Sequence, residues 1–342
     1  MQIADVRQLF RAYGARPAHE ALVLRAWTRG LPLDSGRQRP EDVLPARFRA
    51  ALPEIGVGLA RLAHVRSEHA GADGSVRLLV GLADGQAVES VLLPRGGLCV
   101  STQVGCAVGC VFCMTGRDGL ARQLGSAEIV AQVGLARARR EVRKVVFMGM
   151  GEPAHNMERV MEAIDLLASA GAIAHKNLVF STVGDRRVFE RLPRGPVKPA
   201  LALSLHTTRA ELRAELLPRA PRIDPAELVE LGERYARETG YPIQYQWTLL
   251  EGVNDGDDEL EGIARLLAGK YAVMNFIPYN TVDGLDFRRP SWERAAEMAR
   301  ALHRRGILAK LRQSAGQDIE GACGQLRART GEGAGRGIQR AA

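Results

Sequence analysis

The period of the apolar positions changes along the chain. Near the start, Ala4 to Tyr13, His19 to Trp27 and Glu41 to Leu52 carry the three-to-four-residue spacing of amphipathic helices. Ser75 to Leu82 and Gln86 to Leu93 read as two strands joined by the turn Ala83-Asp84-Gly85, a hairpin. From about residue 95 onward, short apolar runs alternate with helical patterns, which predicts repeated β-α units around a parallel sheet. The predicted strands are Leu98 to Gln103, Lys144 to Met148, Leu178 to Thr182, Ala200 to His206, Ile243 to Leu250 and Ala272 to Pro278. Helical periodicity fills 126–142, 157–170, 208–217, 224–239 and 257–268, and a helix at Ser291 to Arg305 precedes a further strand at Ile307 to Gln313. Asp224 as N-cap, Pro225 at the first helical position and Glu227 three residues after the cap mark one helix start. Six units are too few for a closed eight-stranded barrel and enough for an open, partial one. The fold class is therefore α/β: a partial (β/α)6 barrel over residues 91–326, preceded at 1–90 by a small helical accessory domain with its hairpin. The Gly/Arg-rich stretch 327–342 is expected to be a disordered basic tail.

In parallel α/β folds chemistry gathers at the carboxyl ends of the strands. After the first predicted strand comes the run Gly105-Cys-Ala-Val-Gly-Cys-Val-Phe-Cys-Met-Thr-Gly116, after the second Gly149-Met-Gly-Glu-Pro153, and after the third Ser181-Thr-Val-Gly184. Ser204-Leu-His206 ends the fourth and Pro278-Tyr-Asn280 the sixth, so five motifs converge on one rim. Cys106, Cys110 and Cys113 have C-x3-C-x2-C spacing, which can cap three corners of an iron-sulfur cube and leave one iron open to a substrate. Structural zinc wants a second tight Cys or His pair, and Cys99 and Cys323 stand alone. A disulfide framework suits short secreted chains, not 342 residues with five cysteines.

Composition adds bounds. Hydrophobic residues make up 46% and charged ones 25%, as in soluble globular proteins. No 18-residue apolar run and no signal-peptide pattern occurs, so a cytoplasmic protein without membrane association is expected, in a compartment where thiols stay reduced. The net charge of +8 suits a polyanionic partner. Arginine, however, supplies 42 of the 47 basic residues, a bias that a GC-rich genome imposes on any protein. The clusters at 137–144 and 186–194 also read as solvated helix faces.

C-x3-C-x2-C after a first strand, followed by Gly-Glu-Pro, resembles the radical S-adenosylmethionine (SAM) superfamily. Cys99-Val-Ser-Thr-Gln-Val-Gly-Cys106, Met148-Gly-Met-Gly-Glu-Pro153, Gly321-Ala-Cys-Gly-Gln-Leu326, Ser-Leu-His and Ile277-Pro-Tyr-Asn280 narrow the likeness. Together they are similar to the RlmN/Cfr family of radical SAM RNA adenine methyltransferases, over about residues 86–326. The resemblance implies a radical SAM barrel, a [4Fe-4S] cluster on Cys106, Cys110 and Cys113, and SAM contacts from Gly151, Glu152, Ser181, Ser204, Leu205, His206 and Asn280. It implies that Cys323 is methylated and carries the carbon to adenine C2 or C8, electrophilic positions closed to ordinary methyl transfer. Cys99 then attacks the Cys323 sulfur, giving a transient disulfide, and Glu89 removes the ring proton. RNA is the implied partner, 23S rRNA first and tRNA in some members, with an electron donor such as flavodoxin.

Taken singly these residues have plainer readings: a buried small hydrophobe for Cys323, an outward strand position for Glu89, and turn or strand-end capping for Ser181 and Ser204. The chain departs from the family at Gln123, where the family carries Asn, and at Val183, where it carries a second serine. Its Glu89–Cys99 spacing is also shorter, and its N-terminal part matches only loosely. A radical SAM enzyme with a non-RNA substrate and a zinc-stabilised RNA-binding protein are the rival readings.

Overall fold

A computed structural model of the chain describes residues 1–328. The first four strands are β1 (Ala63–Ala70), β2 (Val76–Leu82), β3 (Ala87–Leu93) and β4 (Gly97–Cys99). A separate two-stranded ribbon follows, β5 (Gln103–Gly105) with β6 (Leu120–Gln123). Then come β7 (Lys144–Phe147), β8 (Leu178–Thr182), β9 (Ala200–Ser204), β10 (Ile243–Leu249), β11 (Ala272–Pro278) and β12 (Ala309–Leu311). All but the ribbon form one ten-stranded sheet in the order β1-β2-β3-β4-β7-β8-β9-β10-β11-β12. From β4 to β12 neighbouring strands run parallel, and β1 to β4 are joined antiparallel. The α/β partial barrel is therefore present with its six parallel strands, and the short β12 adds a seventh.

Helices pack outside the parallel strands for the reason the pattern indicated: each buries one apolar stripe, as Val160, Ala163, Ile164 and Leu167 do in Met157–Ser169. Asp224 caps Pro225–Thr239 by accepting from the Ala226 amide at 2.8 Å, while Glu227 turns away to pair with Arg186. Strands β8 and β9 are buried along almost their whole length, as expected of a parallel sheet covered on one face and filled on the other.

Three boundaries differ from the sequence reading. The first barrel strand stops at Cys99 rather than Gln103, because the chain turns over the next loop. Thr102 and Gln103 both donate to the Met150 carbonyl, at 2.8 and 3.2 Å, before β5 joins the ribbon. The helix expected over Glu41 to Leu52 is instead a single turn, Pro40–Val43, followed by a longer helix, Ala46–Leu62. Its buried stripe Phe48, Ala51, Leu52, Ile55, Leu59 and Leu62 carries it past Pro53, which costs a backbone hydrogen bond. The predicted hairpin gains a third strand, β1, which continues directly from that helix. The expected tail lies outside the described residues from position 329 on.

The N-terminal helices are tied to the barrel by backbone approach. A Cβ on Gly134 would lie 2.9 Å from the Trp27 carbonyl, and one on Gly30, at φ +69°, would lie 2.5 Å from the Gly134 carbonyl. Helix Pro17–Thr28 thus docks on helix Ser126–Arg137 where no side chain intervenes. Buried Glu20 accepts from Arg7 at 3.0 Å and Arg11 at 2.6 Å, which holds the first two helices together. One apolar core runs from Ile3 through Phe10 and Phe48 to Trp247 and Phe276 in the barrel. Trp247 is completely buried and donates to the Asn254 carbonyl at 3.1 Å. Trp247→Ala is expected to lower the unfolding free energy by about 3–5 kcal/mol in chemical denaturation.

Candidate functional site

The cysteine loop is a closed Ω between β5 and β6. The Cys106 amide donates to the Gly119 carbonyl at 2.9 Å and the Cys113 amide to the Cys110 carbonyl at 3.0 Å, so both ends and the tip are fixed. Val108, Phe112 and Met114 anchor the loop in a small apolar cluster with Leu216, Leu217, Leu250 and Tyr279, at the carboxyl ends of the strands. All three thiols are pushed up by burial: Cys106 to about 12, Cys113 above its ordinary value, and Cys110 further still because Cys113 and Cys106 add like charge.

Hydrogen-bond donors nevertheless face two of the sulfurs. The Val108 and Gly109 amides point at Cys106, and the Thr115 and Gly116 amides point at Cys113. Donors aimed at buried sulfur fit thiolates that an iron-sulfur cluster would neutralise. Among the described residues no three His, Cys, Asp or Glu side chains are gathered around a single-ion position.

Beside this loop stand the rim motifs. Gly151 adopts φ +109°, and a Cβ there would lie 2.7 Å from the Gln103 side chain, so the turn admits only glycine. Glu152 is buried, with Oε1 accepting from the Ala154 amide at 3.1 Å and Oε2 from the Val183 amide at 2.9 Å. Burial raises its carboxyl to about 7. Ser181 and Ser204 are half-buried at the ends of β8 and β9, and Leu205 is fully buried. His206 takes φ +63°, rare for a residue with a side chain. Its Nδ1 accepts from the Thr248 amide at 3.0 Å, its carbonyl accepts from Asn254 at 2.7 Å, and its ring meets Phe112 edge-on at 4.9 Å. Burial, then the Arg213 charge, lowers His206 to about 3, so the ring is neutral at physiological pH.

Asn280 faces the C-terminal loop: its amide donates to the Cys323 carbonyl and to Ser314 Oγ, both at 3.0 Å, and its oxygen accepts from Arg289 at 3.2 Å.

Cys99 and Cys323 open on one cavity of about 800 Å³, lined also by Cys113, Met148, Gln246 and Arg312. Cys323 is exposed to that space, yet enough protein surrounds it that burial still raises its thiol. Cys99 is buried and held well above the ordinary thiol range, by burial first and the nearby Cys323 second. The loop carrying Cys323 is strapped down at several points. Met114 donates to the Gly324 carbonyl at 2.8 Å, Thr115 Oγ1 to the Leu326 carbonyl at 2.7 Å, and the Gly316 amide to Asp73 at 2.9 Å.

Glu89, on β3, belongs to the same strap. It is buried, pairs with Arg77, and accepts from the Arg327 and Ala328 amides at 2.8 and 3.0 Å. The structure thus brings Cys99, Cys113 and Cys323 together and sets Glu89 behind them, outside the cavity wall. One residue escaped the sequence reading. Buried Arg213 donates to the Val183 carbonyl and, at 3.1 Å, to the Ser204 carbonyl, while its Nε has no hydrogen-bond partner among the described residues. It stands near enough to Cys110 and Glu152 for their charges to act on it, and burial lowers it to about 10.

Three thiols on the loop after the first strand of a partial parallel barrel, with a glycine-glutamate turn after the second, define a radical SAM enzyme. Residues 100–267 match the family model described as the radical SAM superfamily. A probable RNA methyltransferase of Aromatoleum aromaticum is 77% identical over 96% of this chain and 93% of its own length. One from Pseudomonas aeruginosa is 65% identical over 97% of each. The crystal structure of a radical SAM methyltransferase from Sphaerobacter thermophilus superimposes with a TM-score of 0.83, at 36% identity, over 96% of this chain and 98% of that one. The chain belongs to this family of radical SAM methyltransferases, in agreement with its likeness to the RlmN/Cfr proteins. Among the described residues no helix is long and apolar enough to cross a membrane.

His206 gives a pH prediction. The unfolded chain protonates it near pH 6.5, whereas the folded chain keeps it neutral down to about 3. Its contribution to stability is therefore complete above pH 6.5 and is lost as pH falls from there toward 3. In urea titrations, His206→Asn is expected to lose less of its midpoint between pH 7 and pH 4.5 than the parent protein does.

Proposed function

We propose that the chain methylates a ring carbon, C2 or C8, of an adenosine in RNA, 23S rRNA first and tRNA second, with Cys323 carrying the carbon. The observation that carries this reading is the shared cavity of Cys99 and Cys323 beside the cluster loop. The names of the relatives and the net charge of +8 support RNA as the substrate. When bound, the [4Fe-4S] cluster on Cys106, Cys110 and Cys113 and its SAM supply the methyl group and the means to abstract hydrogen from it, with an electron from a donor such as flavodoxin.

The protein's own residues position and resolve. Buried Glu152 offers a carboxylate to the SAM ammonium, and Gly151 lets the backbone come close. Ser181, Ser204 and Asn280 offer hydroxyl and amide groups, while Leu205 and the neutral ring of His206 provide an uncharged wall. Once the ring is joined to Cys323, Cys99 attacks the Cys323 sulfur, and a disulfide forms as the carbon–sulfur bond breaks, its electron pair passing to the ring-bound carbon, which takes up a proton and becomes the methyl group. Burial holds Cys99 as a thiol, so this step requires loss of its proton and quickens as pH rises. Glu89 receives the ring proton after residues 327 and 328 release its carboxylate.

Cys323→Ala is expected to abolish methyl uptake by protein and RNA alike. Cys99→Ala should accumulate protein joined covalently to RNA, seen as a shifted band and by mass spectrometry of the digested adduct. Full turnover without Cys323 would favour a radical SAM enzyme of another class, and a colourless, zinc-loaded protein after anaerobic purification would favour the non-enzymatic reading.

A further inference from the structure

Cations outnumber acids around the cavity shared by Cys99 and Cys323, where Lys144, Arg312 and Arg95 stand against the single carboxylate of Asp73. Lys144, the first residue of β7, and Arg312, just beyond β12, line it. Lys310, on β12, lies near enough for its charge to act on Lys144. Arg312 spends its Nε on a neutral partner, Asn275 Oδ1 at 2.9 Å. The acid that lines the cavity, Asp73, is committed elsewhere, accepting from the Ser75 amide and hydroxyl at 2.9 and 2.5 Å and from the Gly316 amide at 2.9 Å.

Like charges facing one another across a half-buried space cost stability unless an anion enters. Lys144 shows this cost, being pulled below the ordinary lysine value by burial first and by Arg312 and Lys310 second. Composition sharpens the point. Arginine serves 42 of the 47 basic positions in this chain, yet two of its five lysines meet here, where a compact, mobile point charge replaces a planar fork.

Register supplies the scale. Cys99 pairs with Val146, and Lys144, Val146 and Met148 all face the cavity. The lysine therefore begins two residues, about 7 Å of strand, from the level of the Cys99 sulfur. Gln244 and Gln246 on β10, three strands away, line the same cavity with neutral amides.

We propose that Lys144, Lys310 and Arg312 form the binding site for the RNA phosphodiester adjacent to the target adenosine, so that the base is delivered to Cys323 by a grip on its own backbone. The inference rests on the reading of RNA as substrate. It assigns these residues a sequence-independent positioning role.

The test uses the cluster-loaded full chain and a fluorescent single-stranded pentaadenylate, with binding followed by anisotropy across a salt series. Lys144→Gln and Lys310→Gln should each reduce the slope of log affinity against log salt by about 0.7, the loss of one phosphate contact on a single strand. Inorganic phosphate should compete less well for the double variant than for the parent. Lys144→Gln should also raise the melting temperature in the absence of RNA, because it removes a cation from among cations; a merely structural lysine would lower it. An unchanged salt slope in both single variants, or identical competition by phosphate in parent and double variant, overturns the phosphate site. If the parent protein binds no pentaadenylate at all, the RNA reading fails and takes the site with it.

Discussion

A reactive sulfur on an irregular loop is useful only if something other than secondary structure fixes it. Here the constraint is the seam that closes residues 314–328 onto the barrel: Met114 to Gly324, Thr115 to Leu326, Asn280 to Ser314 and Cys323, and Glu89 to the last two described amides. These bonds join segments as much as 239 residues apart, and closing such a loop carries a large entropic cost. The hydrogen bonds to the Glu89 carboxylate, charge-assisted and out of water, are the strong kind that can meet that cost. Through this seam the cluster loop, the cavity and Cys323 become one rigid neighbourhood.

Electrostatics in that neighbourhood are set by exclusion of water. A carboxylate, a guanidinium, an imidazole and four or five thiols share a buried region, and burial moves each toward its neutral form. Beside it, lysine and arginine line the cavity onto which Cys99 and Cys323 open.

Much of this could be read from the chain alone, and the rest could not, for identifiable reasons. Strands β7, β8, β9 and β11 were legible to within two residues because parallel strands buried on both faces are short, largely apolar runs, and β10 because its apolar and polar positions alternate. The cysteine loop was legible because ligand spacing within a single loop is a local property. Strand β1, Ala-His-Val-Arg-Ser-Glu-His-Ala, alternates half-buried with exposed positions after Ala63 but places polar residues on both, which erased the signal. Arg213 was invisible because its partners, Val183, Ser204, Cys110 and Glu152, come from four separate stretches of chain. The anchoring of Glu89 was hidden for the same reason, since its acceptor bonds reach to residues 327 and 328.

The length of the seam also orders events during synthesis. Thr115 and Leu326, bonded in the finished fold, are 211 residues apart, so a ribosome adding 5–20 residues each second delivers the second about 10–40 s after the first. Throughout that interval the nascent polypeptide displays the three-thiol loop without Cys323.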